Sequence, residues 1–198
     1  MLKASSIGAS FQKAAGKLFA SCPLTPNQIT AVSVLAALVA FYFAYLQQPL
    51  ASLLLFVVSG AIDAIDGAVA RERKMVSARG AYIDGISDRL VEFLMLSSFL
   101  FYALPAFILP AFWWILLCIF FGSCMTSFAT AYAEHRKVAD AKKLAKQPGI
   151  LPRAERLFSF FLALLLVPFS PQLSVVILAI ASILCTMTFL QRFLYFSE

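Results

Sequence analysis

Charge is scarce in this 198-residue chain. Asp, Glu, Lys and Arg make up 13% of it, against about 25% in soluble globular domains. There is one histidine, His135, and four cysteines, Cys22, Cys118, Cys124 and Cys185, are scattered without a C-x-x-C pair. That spacing offers no metal-type pair, and the four read as reduced, small apolar residues. No internal repeat is visible, which argues against a transporter built from duplicated halves. Hydrophobic residues, by contrast, make up 62%, with 20 Phe, where a soluble domain would have about 45–50%. An ordinary soluble domain is excluded, and no nucleic-acid partner is expected.

The expectation is an all-α integral membrane protein of six transmembrane helices preceded by an amphipathic interfacial helix. Hydropathy and chain breakers place the spans at approximately 27–46, 51–71, 81–103, 107–133, 154–170 and 173–194, each near the roughly 20 residues a bilayer requires. Together they form one bundle over 27–194 in a single domain covering 1–198. Residues 1–22 lack the uninterrupted apolar core of a signal peptide. They read as an interfacial helix, with Leu2, Ile7, Phe11, Leu18 and Phe19 toward lipid and Lys3, Lys13 and Lys17 toward headgroups. Thr25-Pro26-Asn27-Gln28 marks the start of span one: a hydroxyl cap, a proline in the first turn and a glutamine three residues after the cap.

Basic residues give the orientation. All 16 Lys and Arg lie in the amino-terminal segment, in 71–89, in 136–156 or near the carboxyl end. If the spans alternate, these share one side, and the turns at Gln47-Gln48-Pro49, Ala103-Leu104-Pro105 and Pro168-Phe169-Ser170-Pro171 occupy the other with none. The positive-inside rule then makes both termini and both long loops cytoplasmic.

Acidic residues give the chemistry. Asp63, Asp66, Asp84 and Asp88 occur at spacings of three and four on consecutive spans, on that same side. Each pair shares a helix face. A charge at membrane depth costs roughly 2.5–3.5 kcal/mol on insertion scales, so four like charges require neutralisation. Carboxylates without His or Cys suit hard cations such as Mg²⁺, Mn²⁺ or Ca²⁺. Four can hold two ions, an arrangement that clamps a diphosphate. Glu92 continues the stripe and is expected to pair with a base such as Arg89, while His135 and Glu134 are given no role.

The string D-x-x-D-G-x-x-A-R-x8-G-x-x-x-D-x-x-x-D, filled here from Asp63 to Asp88, resembles the signature of the CDP-alcohol phosphotransferase (CDP-alcohol phosphatidyltransferase) family. The likeness extends to the span layout, the amino-terminal helix and Thr25-Pro26-Asn27-x-x-Thr30. It implies a magnesium- or manganese-dependent enzyme, with two ions at the site, that moves a substituted phosphoryl group from a CDP-linked lipid donor to a polar alcohol and releases CMP in phospholipid biosynthesis. It also implies a homodimer in the lipid bilayer. Carried over by position, Asp63, Asp66 and Asp84 would be metal ligands, with Asp88 the catalytic base that also touches the second metal. Gly67, Ala70, Arg71 and Gly80 would meet the cytidine diphosphate, joined by Asn27 and Thr30.

Arg153 and Arg156 open span five three residues apart, and arginine grips phosphate with forked geometry. They are the candidates for an acceptor phosphate. The loop bases Arg136, Lys137, Lys142, Lys143 and Lys146 are accounted for by topology and anionic headgroups. The Arg-x-x-Arg pair points to the branch resembling phosphatidylinositol-phosphate and archaetidylinositol-phosphate synthases. Phosphatidylglycerol-phosphate synthase and CDP-inositol-dependent transferases are the nearer alternatives. An intramembrane prenyltransferase and a divalent-cation transporter are more distant ones.

Overall fold

The computed structural model describes residues 23–198 apart from 141, 142, 145 and 148. The interfacial helix expected over 1–22, Cys22 and Lys142 lie outside the described residues. Among those described, six helices and no strand are formed: α1 (Pro26–Tyr45), α2 (Pro49–Glu72), α3 (Ala78–Ser98), α4 (Ala111–His135), α5 (Arg153–Leu166) and α6 (Pro171–Ser197). Four of them, α1, α2, α4 and α6, are long and apolar enough to cross a membrane. Helix α3 carries Arg79, Asp84, Asp88, Arg89 and Glu92, and α5 has 14 residues, about 21 Å of helix against a bilayer core of about 30 Å. The chain divides into two compact units, Met1–Met95 and Leu96–Glu198.

In the first unit, α1 begins with the expected capping box. The Thr25 backbone N–H donates to Gln28 Oε1 at 2.8 Å and the Gln28 N–H to Thr25 Oγ1 at 3.4 Å, with Pro26 in the first turn. Helix α1 ends at a left-handed Gln47 (φ 61°), where the Gln48 N–H reaches Phe43 O at 3.0 Å and the Gln47 N–H reaches Ala44 O at 2.9 Å. This Schellman ending reverses the chain within three residues into α2. The buried faces are small along much of their length, with Ile29, Phe56 and Val69 the larger apolar members. Thr30, Ser33, Ala37, Ala40 and Ala44 are buried on α1, and Ser52 and Ser59 on α2. Small side chains let two helices approach closely where lipid supplies no hydrophobic drive between them. The opposite surfaces expose Leu35, Leu38, Tyr42 and Leu54, as lipid-facing positions should. Ser59 Oγ donates to Ser33 O across the hairpin at 2.7 Å.

Helix α2 also ends with a Schellman motif, now around Lys74 (φ 55°), and Arg73 Nη1 returns to Leu24 O at 2.8 Å. Ser77 then caps α3, accepting the Gly80 N–H at 3.0 Å.

In the second unit, Phe99–Phe101 forms a 3₁₀ turn, so α3 ends five residues before the hydropathic stretch does. Helix α4 contains a π-helical segment, Cys118–Met125, and Thr126 Oγ1, immediately after it, donates to Phe121 O. Gly122 in this segment lies against α6 and α5: a Cβ there would stand 3.0 Å from Cys185 Sγ and 3.3 Å from Arg156 Cδ. Arg192 of α6 donates to Thr126 O and Thr130 Oγ1, both at 3.1 Å, and Thr130 Oγ1 donates to Gln147 Oε1 at 2.6 Å. Pro171 and the Ser170 hydroxyl, which accepts the Leu173 N–H at 3.4 Å, start α6. Cys118, Cys124 and Cys185 are not in disulfides.

Candidate metal and nucleotide site

The carboxylates are assembled by the turns just described. Asp63 and Asp66 sit one turn apart in the second half of α2, and Asp84 sits in the second turn of α3. The Lys74 ending and the Ser77 cap confine the connection to five residues between Glu72 and Ala78, which forces the two helix ends together. Asp63, Asp66 and Asp84 each present a carboxylate oxygen within 4.8 Å of the others. Asp66 is buried (5% exposed) and the other two are half-buried. An all-oxygen set of three acids at this separation matches the donors a hard divalent cation takes, and no imidazole or thiolate intrudes. The residues present therefore fit such an ion.

Asp88 is half-buried one turn farther along α3 and is not one of the three converging acids. Glu92, another turn along, is buried (1% exposed) and accepts from Arg89 Nη1 at 2.8 Å, as expected for an ion pair.

Beside the triad is a cavity of about 270 Å³, just under the usual range of roughly 300–1,000 Å³ for ligand pockets. Asp66, Asp84, Asn27, Thr30, Gly67, Ala70, Arg71 and Gly80 all line it. Eight of the residues singled out from the sequence thus share one wall-to-wall space. A Cβ on Gly80 would lie 3.1 Å from Ser77 Oγ and 3.6 Å from Asn27 Oδ1, so glycine lets α3 start close against α1. Gly67 has ordinary room, its nearest would-be neighbour being Arg71 Nη1 at 3.5 Å. Thr30 is buried, and its hydroxyl donates to Asp66 Oδ2.

Pro26, Met75, Val76, Ser77 and Ala81 also line the cavity and were not anticipated. Ser77 could have been found, since a hydroxyl immediately before a helical run is a capping signal. Met75 and Val76 carry no such signal. Arg153 and Arg156 lie in the second unit at the head of α5. Arg156 is buried (3% exposed) with its aliphatic stem by Gly122, and Arg153 Nε is shielded from solvent.

The chain is similar to known proteins over most of its length. A family profile described as CDP-alcohol phosphatidyltransferase matches residues 23–188. The archaetidylinositol phosphate synthase of Pyrococcus horikoshii is 35% identical over 178 residues, covering 89% of this chain and 86% of that protein. The bifunctional IPC transferase and DIPP synthase of Thermococcus kodakarensis is 36% identical over 149 residues, 72% of this chain and 32% of the longer protein. In fold, the chain is similar to Mycobacterium tuberculosis phosphatidylinositol phosphate synthase (PgsA1), solved with CDP-DAG bound and, separately, with manganese and citrate. The TM-scores are 0.79 and 0.80, with 21% and 20% identity, coverage of 94% of this chain in both, and 94% and 89% of the respective structures. By the extent of the profile match and the identity to a nearly full-length relative, this chain is an integral membrane transferase of the CDP-alcohol phosphatidyltransferase family.

Proposed function

We propose that the protein transfers a substituted phosphoryl group from a CDP-linked lipid, of CDP-diacylglycerol or CDP-archaeol type, to the hydroxyl of a phosphorylated polar alcohol such as inositol phosphate, releasing CMP. The observation that carries this reading is the convergence of Asp63, Asp66 and Asp84 at the edge of a cavity lined by Asn27, Gly67, Ala70, Arg71 and Gly80. Support for the donor comes from the PgsA1 complex with CDP-DAG, and for the acceptor from the archaetidylinositol phosphate synthase relative. Family membership displaces the prenyltransferase and cation-transporter alternatives.

Asp63, Asp66 and Asp84 would hold the metal, Mg²⁺ or Mn²⁺ as a two-ion site, with Asp88 reaching the second ion. Bound there, the metal would neutralise the diphosphate and stabilise the departing CMP oxygen. Arg71 and Asn27 hold the nucleotide, while Gly67, Ala70 and Gly80 leave it room. Asp88 accepts the proton of the acceptor hydroxyl as its oxygen bonds to the lipid-bearing phosphorus and the bond from that phosphorus to CMP breaks. A carboxylate suffices because it removes the proton only as the new bond forms. Arg153 and Arg156 bind the phosphate of the acceptor in forked pairs.

In the membrane, the chain forms six spans as one functional domain, with both termini and the active site on the cytoplasmic side. It acts as a homodimer. The acceptor assignment is tested by supplying purified enzyme with CDP-diacylglycerol or CDP-archaeol and, in turn, myo-inositol phosphate, glycerol phosphate and serine. Turnover with inositol phosphate is expected. Preference for glycerol phosphate would select the phosphatidylglycerol-phosphate synthase alternative, and preference for serine would remove the phosphate-binding role of the arginines. CDP-inositol, offered as donor, tests the remaining alternative.

A further inference from the structure

We propose that Thr30 is a positioning residue of the metal site, holding the Asp66 carboxylate in the orientation in which it meets Asp63 and Asp84. The inference rests on reading those three aspartates as metal ligands. Thr30 is 3% exposed and Asp66 is 5% exposed, so water does not compete for the contact between them. The threonine hydroxyl has one proton and two acceptors in reach, Pro26 O at 3.1 Å and Asp66 Oδ2. An ionised carboxylate is the stronger acceptor, so the proton goes to Asp66. One carboxylate oxygen is thereby satisfied from α1, a helix that contributes none of the three acids, and rotation of Asp66 is restrained by an element outside the triad.

Thr30 is itself held in place. Ser33 Oγ donates to Thr30 O at 2.8 Å, and Ser33 O accepts from Ser59 Oγ of α2 at 2.7 Å. This relay of buried hydroxyls fixes the register of α1 against α2, and a β-branched side chain adds a stiff χ1. Deleting an outer partner of a metal ligand costs about 10–100-fold in metal affinity. Thr30 also lines the nucleotide cavity, so a contact with nucleotide is the competing role, and the two differ in what they alter.

The test is a Mn²⁺ titration of the metal-free, full-length protein in detergent, followed by electron paramagnetic resonance, in the absence of nucleotide. Wild type, Thr30→Val, Thr30→Ala, Thr30→Ser and Asp66→Asn are compared, with thermal melting of each metal-free protein. Wild type is expected to bind Mn²⁺ and Asp66→Asn to lose it. Thr30→Val and Thr30→Ala should bind about 10–100-fold more weakly, and Thr30→Ser should stay within a few-fold of wild type. Alanine carries the comparison should valine not fold. Absence of Mn²⁺ binding by wild type, or undiminished binding by Asp66→Asn, would overturn the reading of the triad itself. Wild-type affinity in both Thr30→Val and Thr30→Ala, with or without a raised KM for the CDP donor, would overturn the role of Thr30 alone. So would a Thr30→Ser variant as weak as the valine one.

Discussion

Asp88 and its neighbours Asp84 and Asp66 are chemically identical, and only position separates their roles. Asp84 and Asp66 converge with Asp63, whereas Asp88 stands one turn away. Asp88→Asn is therefore expected to reduce CMP release by about 10²–10⁴-fold, the usual worth of a positioned base, while retaining Mn²⁺ binding by Asp63, Asp66 and Asp84. Asp84→Asn is expected to lose both. Measuring turnover and metal titration on the same preparations separates the cases. Glycines divide in the same manner. Gly80→Ala pushes a methyl group to 3.1 Å from the capping Ser77 Oγ and 3.6 Å from Asn27, and it should raise KM for the CDP donor. Gly85, on the same helix, has nothing within 4 Å of a built Cβ. Gly85→Ala should raise the melting midpoint, by up to the roughly 1 kcal/mol that separates the two residues in a helix, with unchanged KM. At this scale the sequence was highly legible, because spaced side chains are read directly from it. The Thr30 to Asp66 bond was not legible. Thirty-six residues separate its partners, and only the hairpin brings them together.

Helices α1 and α2 were legible to within two residues at each end and α4 and α6 to within four, since prolines lie near the edges of the apolar runs. Where these signals diverged, hydropathy misled. Span three was expected over 81–103, yet α3 runs Ala78–Ser98. It starts earlier because Ser77 caps it at a charged, weakly hydrophobic end, and it stops earlier because the still-apolar Phe99–Phe101 turns as a 3₁₀ helix. The π segment of α4 was invisible for a related reason, as a π turn changes backbone hydrogen bonding and not apolarity. Its consequence is local crowding around Gly122. Gly122→Val should displace Arg156, whose Cδ would lie 3.3 Å from the added Cβ, and raise KM for a phosphorylated acceptor more than KM for the CDP donor. Equal increases would contradict the proposed role of Arg156. At the other end of the chain, Thr25→Ala removes one half of the capping box and should cost about 1 kcal/mol of stability, seen as a lower melting midpoint in detergent.

For the whole molecule, the decisive pattern is the concentration of 16 basic residues into four stretches. Side-specific labelling of single cysteines introduced near Gln48, Pro105 and Phe169 should occur from outside the cell, and labelling near Lys74, Lys137 and Glu198 only after permeabilisation. Reaction of the Lys74 position from outside would reverse the orientation. The two halves of the proposed reaction differ in how firmly residues specify them. The CDP end rests on an eight-position motif, six positions of which line one cavity, while the proposed acceptor end rests on two arginines and no comparable motif. In the proposed reaction, phosphate recognition depends on where an arginine fork is held, and Arg156 of α5 is held beside Gly122 of α4. The most direct measurement is CMP release by the purified enzyme from a CDP-linked lipid, with inositol phosphate as acceptor, in Mg²⁺ or Mn²⁺ and again in excess chelator. Metal-dependent CMP release that tracks formation of the phosphorylated lipid product, and that vanishes in Asp84→Asn, is the predicted result; equal turnover in chelator, or undiminished turnover in Asp84→Asn, would contradict it.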